Sequence, residues 1–526
     1  MRVISQTRMI LRRRMSIDTK KNVHSMAHHN LKIYFMREIV VRIRNFKAGV
    51  VLVALGLCLG IGSVQGQWNH DVLAKVGTKE ITGAEFMQRC ELTVRPDNSK
   101  DKSIALNNLL LEKILALEAE KKNLLASNPG FHARLKGVKE QAMREKLYTT
   151  VAFTKAKVDT NTLKNAYKLS QREYELEFYR LHKERAQEVK AFMDSTPGAI
   201  GGLFKYLSEF AEKRPMHKVT YNDSEPDTVH EALYSKPLHV GDVIGPIELG
   251  PDDYLVMKVV NWTAYPLLSG VDQQERWNEV RKKEHTIAAS KIWQAYHAGV
   301  MHGKKIEFDK KTFLLLANRI REKYISEQQK FVSSGNFIPE IPVGPNGVDP
   351  ASPFFTFEDR LWTVGDFKNE LMSRPLLFRS IDLDSANFNA QFRLAVIDIM
   401  KDHCLTREAY KKSLDQGEDI TQKVNMWKDA FLANEEQRNV IDTALQEGKI
   451  VKDDGPGILK YWESVVNDMW MTYGKLASVN DSAFSKIVLT KKDMVAVKPG
   501  MPYPVLVPDF PELSPSKYKR GGASRE

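Results

Sequence analysis

Histidine, cysteine and paired carboxylates are the side chains that could attack, shuttle protons or hold metals, and here few stand at a spacing such chemistry needs. Of the 13 histidines, His182 lies five residues past Glu177, just beyond an expected strand, and reads as a solvated turn residue. His217, His230 and His239 have no partner at a recognisable metal or catalytic spacing. Gly303-Lys304-Lys305 lacks the upstream glycine loop of a phosphate site, and no Gly-x-Gly-x-x-Gly, Walker loop or His-Glu-x-x-His occurs. Asp382/Asp384 and Glu435/Glu436 would need a pocket to raise a pKa, and they are expected as solvated surface. The 3 cysteines make neither a disulfide scaffold nor a zinc spacing. Cys90 and Cys404 fall in apolar helical contexts, expected as buried free thiols, with one long-range disulfide as the alternative in an oxidising compartment. No metal and no cofactor is expected.

The 526 residues suffice for several domains. Residues 1–66 carry 12 Lys/Arg against 2 Asp/Glu, whereas the rest holds 66 against 64. The net charge of +12 is therefore mostly a property of the leader, and nucleic-acid binding, which needs a basic face on the folded part, is not expected. Arg42, Arg44 and Lys47 precede the uncharged run 48–62 and the small residues Ser63-Val64-Gln65-Gly66. Basic start, short apolar core and small cleavage residues predict a secretory signal, cut after Gly66. An uncleaved anchor, giving membrane association, is the alternative, although a span usually takes ~18 or more apolar residues. Translation from Met36 would leave a signal of ordinary length.

Val72–Val76 reads as a strand, Gly77-Thr78 as a turn, and Thr82-Gly83-Ala84-Glu85 has capping-box spacing before a helix. Residues 104–125 make an apolar helix, with Leu106, Leu109, Leu110, Ile114 and Leu117 on one face. Charged helices over 131–150 and 160–171 follow. Leu361-Trp362-Thr363-Val364-Gly365-Asp366-Phe367 matches Glu80 to Phe86, and Glu408–Leu414 matches the helix end Glu118–Leu124. The cap-to-end interval is 36 residues in one copy and 45 in the other, with a loop over 376–389 to absorb the difference. The helical body is thus expected to be duplicated.

Between the copies, Val243 to Leu249, the turn Gly250-Pro251-Asp252-Asp253 and the alternating run Tyr254 to Val260 predict a β-hairpin. The order Gly-Asp-Val-x-Gly-Pro-Ile … Tyr-x-Val-Met-Lys-Val resembles the closing hairpin of the parvulin-type (rotamase) peptidyl-prolyl isomerase domain, over residues 171–262. The strand, capped helix and apolar helix before it resemble the N-terminal module of periplasmic parvulin-type chaperones, SurA-like and PpiD-like. The resemblance implies an α+β fold divided as 1–66 leader, 67–170 helical module, 171–265 parvulin-like domain, 266–334 returning helices, 335–353 linker, 354–497 second helical module and 498–526 disordered tail.

Parvulins lower a barrier of ~18–20 kcal/mol about the imide bond with a histidine on the first strand and one on the last. Counting by the family spacing places Glu177 and Leu255 at those two positions, and residues 213–227 hold no glycine where a Gly-Gly loop belongs. No catalytic residue is therefore assigned. The resemblance implies an exported folding factor, periplasmic or extracytoplasmic, that binds unfolded or nascent secreted and outer-membrane polypeptides in a cleft of aromatic and methionine side chains. An active isomerase with altered catalytic groups and a non-catalytic envelope adaptor are the alternatives.

Overall fold

The computed structural model describes residues 71–96, 101–195, 200–209, 215–223, 225–250, 253–326, 343–344, 347–374, 376–379, 383, 385–490 and 505–511. The expected leader, Asp382, Asp384 and most of the linker lie outside them. The fold is α+β, with long helices and three small antiparallel sheets. Described residues 71–304 and 400–511 form one compact unit, and 305–399 form the other.

The larger unit opens with β1 (Val72–Val76) and β2 (Lys79–Thr82), joined through Gly77 at φ +55°. Thr82 caps α1 (Gly83–Leu92), its hydroxyl accepting from the Glu85 amide at 3.1 Å. The expected reciprocal half of the capping box is missing. Glu85 Oε1 instead accepts from Lys113 Nζ at 2.7 Å, because a charge-assisted bond to a buried ammonium outweighs one to a neutral amide. Helix α2 (Lys102–Lys121) buries Leu106, Leu109, Leu110 and Ile114. Helices α3 (Pro129–Val151) and α4 (Thr160–Leu169) start at Asn128 and Asp159, whose side chains accept the first free amides.

The second sheet is built by β3 (Arg172–Leu181), α5 (Lys183–Ser195), α6 (Ile200–Glu209), β4 (Met216–Val219), α7 (Asp227–Tyr234), β5 (Val243–Gly250) and β6 (Asp253–Ala264). Its order is β4-β3-β6-β5, antiparallel throughout. First strand and closing strand are therefore neighbours, with Leu181 opposite Tyr254 and Phe178 opposite Met257. In β5, Gly245 stands at φ +106°, and a Cβ there would overlap the Leu255 carbonyl oxygen and sit 3.2 Å from Val256 Cα. Gly245→Ala is expected to cost about 1–3 kcal/mol from backbone strain alone, with the overlap adding to it. Urea unfolding of the variant against the parent checks this.

Helix α8 (Gly270–Met301) returns from the hairpin and buries Val280 in the sheet's core, Ala289 and Trp293 against α3. The smaller unit holds β7 (Ile306–Phe308), α9 (Lys310–Ser326), β8 (Pro353–Phe357), β9 (Arg360–Thr363), α10 (Val364–Ser373) and α11 (Phe388–Lys411) as far as Ile399. Its sheet, β7-β8-β9, packs on rings of Phe308, Phe313, Phe354, Phe355, Phe367 and Phe392. Here the capping box is complete: Thr363 accepts from the Asp366 amide, and Asp366 accepts from the Thr363 amide.

The rest of the larger unit is the end of α11, then α12 (Glu418–Gln446), α13 (Gly455–Tyr473), β10 (Ala477–Val479) and α14 (Asp481–Ser485). Strand β10 pairs with β1, Ala74 opposite Val479, so the first sheet reads β10-β1-β2. The stretches 72–151 and 353–446 fold into one local order of two strands, a Thr-capped helix, a second helix and a charged helix. Both second helices stop at a residue of φ 53°, Asn123 and Ser413, which matched positions in the repeated Glu-Ala-x-Lys-Lys-x-Leu supply.

Each charged helix packs with the other stretch. Helix α12 lies on α2, where Lys122 meets Glu436. Helix α3 shares a core with the end of α11, Met143 and Leu147 with Leu405 and Ala409, and Arg144 Nη1 donates to Thr406 Oγ1 at 2.8 Å. The expected block 354–497 is consequently split at Ile399 rather than compact in itself. The expected tail needs correction too. Residues 505–511 are not coreless: Val507 is fully buried and Phe510 joins the core around Phe86 and Trp462. Val507 and Phe510 supply the apolar surface that a Pro-rich composition conceals.

Candidate functional site: one face of the four-stranded sheet

Side chains alternate across a strand, and this decides what the two expected site positions can do. On β3, Tyr174 and Leu176 belong to the core shared with Leu255, Met257 and Val259 of β6, and Phe178 packs against it. Tyr179 and Leu181 belong to the other face, under Ala186 and Val189 of α5 and Leu203, Phe204 and Leu207 of α6. Glu177 follows Tyr179, whose hydroxyl donates to Glu177 Oε1 at 2.8 Å, and is 6 % exposed. Leu255 points the opposite way. The structure places Glu177 and Leu255 on opposite faces, so they do not form a pair. The one-residue phase of a strand is fixed by pairing and core contacts, which counting by the family spacing does not register.

The residues that do share Leu255's face are Arg180, directly opposite on β3, and Ile247, opposite on β5. Phe178 and Met257 face each other one step along. Leu176 is opposite His217 on β4, whose ring centroid lies 6.3 Å from that of Phe178. His217 Nε2 is 3.4 Å from Glu225, and its side chain is about half exposed. Phe178, Ile244, Ile247 and Leu249 are half-buried on this core. The result is an apolar sheet end with one imidazole–carboxylate pair at its margin. Leu255 can neither donate nor accept a proton, so two imidazoles cannot act across it. The pairing of His217 with Glu225, eight residues on, was invisible at any standard spacing because a turn brings them together.

The other singled-out residues fall elsewhere. His182 is exposed past the end of β3, and His239 lies 3.7 Å from Asp242 in an exposed loop. His230 is 2 % exposed on α7, inside a ring cluster with Tyr221 at 4.6 Å and Tyr234 at 5.0 Å. Among the described residues its Nε2 has no hydrogen-bond partner, Glu284 of α8 being 3.9 Å away and bonded to the Tyr221 hydroxyl at 2.9 Å. Burial, with Lys283 nearby, pushes the His230 pKa down to about 3. The same burial raises Tyr221, Tyr234 and Glu284. This cluster ties α8 to the sheet.

Glu435 pairs with Arg438 at 2.8 Å, as surface carboxylates do. Glu436 departs from the solvated reading: its side chain is fully buried against Lys122 at the α2–α12 contact. Gly303 forms a turn at φ +74°. Cys90 and Cys404 are buried thiols not joined in a disulfide, and burial pushes the Cys90 thiol up to about 12. Among the described residues no group of three or more His, Cys, Asp or Glu side chains could hold a metal, and no helix is long and apolar enough to cross a membrane.

No protein-family profile and no curated protein matches the chain. Among solved structures, the crystal structure of foldase protein PrsA from Lactococcus lactis aligns at 15% identity, covering 44% of this chain and 93% of that one, with a TM-score of 0.18. At that score the likeness carries no argument about this chain.

Proposed function

We propose that this chain is a folding factor that binds unfolded polypeptides weakly along apolar surface, and that it does not run a histidine-pair isomerase mechanism. The reading is supported by one observation above others: Phe178, Ile244, Ile247 and Leu249 lie half-buried at the edge of the core that Leu255 and Met257 fill, with no second imidazole among them. Such a surface offers dispersion and burial without fixed polar geometry, which suits segments of varied sequence. Each contact stays weak because the bound chain loses conformational freedom. Clients among secreted or envelope polypeptides, and export of the chain itself, follow only from the leader's composition and remain part of the proposal.

The test adds the purified chain to a chemically denatured protein diluted into buffer and follows light scattering. Suppression at near-stoichiometric ratio is expected. Unchanged scattering at tenfold excess would end the proposal. A second reading, an isomerase with altered groups, draws on His217–Glu225 at the margin of the same face. Cis-to-trans conversion of a proline tetrapeptide should proceed at its uncatalysed rate; acceleration that His217→Ala abolishes would favour the second reading.

A further inference from the structure

Residues Val505 to Pro511 form neither helix nor strand and lie against α1 and α12, and the manner of their holding is informative. Two of the bonds that fix them go to main-chain carbonyls. Trp427 Nε1 of α12 donates to the Leu506 carbonyl at 3.3 Å, and Arg89 Nη2 of α1 donates to the Asp509 carbonyl at 2.8 Å. Donors that read carbonyl oxygens accept any sequence. The side chains between them supply the rest: Val507 is fully buried, Phe510 is 7 % exposed, and Pro508 and Pro511 are buried beside them. The Arg89 guanidinium lies 5.2 Å from the centroid of the Phe510 ring.

The receiving side chains also have partners of their own besides the segment. Both Arg89 terminal nitrogens donate to Glu112 of α2, at 3.0 and 2.7 Å, with both side chains essentially unexposed. A bidentate pair of this kind fixes the fork's plane and direction. Trp427 is anchored against Phe431 on the same helix, ring centroids 5.4 Å apart. A preset arginine, a preset indole donor and an apolar floor match an extended, proline-interrupted apolar peptide. Proline suits it because such a segment needs carbonyls read and no amides satisfied.

From this we infer that the groove holding 505–511 is a binding site for extended apolar, proline-containing segments of unfolded polypeptides, and that the chain's own C-terminal segment is its resident competitor. This rests on the proposed folding-factor reading and names a second place where a client is held, distinct from the four-stranded sheet. A tethered competitor lowers the apparent affinity in proportion to the fraction of time the groove is open. Client segments then displace the strap only when abundant, and release is assisted by its return.

The probe is a fluorescein-labelled synthetic peptide of the sequence Val-Leu-Val-Pro-Asp-Phe-Pro, titrated with the full chain and with a full-chain variant carrying Val507→Ser and Phe510→Ser. If the native strap is closed nine times in ten or more, the variant binds the peptide on the order of tenfold tighter. Adding Arg89→Met to the loosened variant should abolish that gain. A loosened variant that retains the parent's far-UV spectrum and cooperative unfolding yet binds the peptide no better overturns the inference. Should the loosened variant not fold, hydrogen exchange of the native chain decides. Saturating unlabelled peptide is expected to raise exchange in 505–511, and unchanged protection there overturns the groove. Failure of this site leaves the scattering assay unaffected, so suppression of aggregation without peptide binding sinks only the groove, and peptide binding without suppression sinks only the client reading.

Discussion

Replacing Lys113 with methionine is expected to lower stability by about 3–5 kcal/mol, among the largest effects of any single substitution outside the aromatic core. Lys113 Nζ is 1 % exposed and bridges Glu85 of α1 at 2.7 Å and Asp429 of α12 at 3.0 Å. Lys79 also reaches Asp429, at 2.7 Å, and Glu120 at 2.8 Å. Burial alone would lower the Lys113 pKa, but Glu85 and Asp429 outweigh it and raise it. Asp429, although buried, is held below the usual carboxylate range by two ammonium groups, whereas Glu85 has one and burial pushes it up.

Removing Lys113 leaves buried Glu85 without its ammonium partner and Asp429 with Lys79 alone. That penalty is desolvation without compensation, not the lost attraction alone. Guanidinium unfolding should show the drop, and a second substitution, Glu85→Leu, should recover part of it by removing the carboxylate left without its ammonium. Lys75→Ala provides the contrast: its pair with Glu80 is about half exposed at both ends, and its loss should stay within about 1 kcal/mol.

The second large effect is a dependence on pH centred on His230. Unfolded, its imidazole titrates near 6.5; folded, it does so at about 3. A depressed histidine pKa means the unfolded chain binds the proton first. The stability due to neutral burial is therefore complete above pH 6.5 and is lost as pH falls from 6.5 towards 3. The slope is about 1.4 kcal/mol per pH unit for one proton, or about 3–6 kcal/mol over the window. Urea unfolding at pH 7.0, 6.0 and 5.0 would read it. His230→Phe, which keeps a ring between Tyr221 and Tyr234, should flatten the profile by that slope; an unchanged profile would assign the acid sensitivity to other groups.

Much of the local architecture was legible because it is written within one turn or one hairpin. Thr82 and Thr363 announce their helices through a hydroxyl placed before an acid, and Gly250 to Asp253 announces the hairpin through turn chemistry. The helix stops at Asn123 and Ser413 fell in matched motifs for the same reason. What stayed hidden depends on residues hundreds of positions apart. Glu436 reads as a solvated acid until Lys122 is beside it, and Pro-rich 505–511 reads as tail until Arg89 and Trp427 take its carbonyls. Glu177 and Leu255 fell to a subtler gap. Motif spacing counts residues along the chain, but a strand assigns faces by parity, and a single residue of slack in the connection to α5 reverses the side on which a group works.

Strand β10 completes the sheet that β1 begins, and this sets a schedule for synthesis. At ~5–20 residues per second, the roughly 400 residues between Val72 and Val479 take about 20–80 s to emerge. For most of that interval the opening module lacks an edge strand, one of the two partners of Lys113 and the cover of Arg89. A newborn copy is thus an incomplete polypeptide whose opening module keeps apolar surface uncovered until residues far along the chain have emerged.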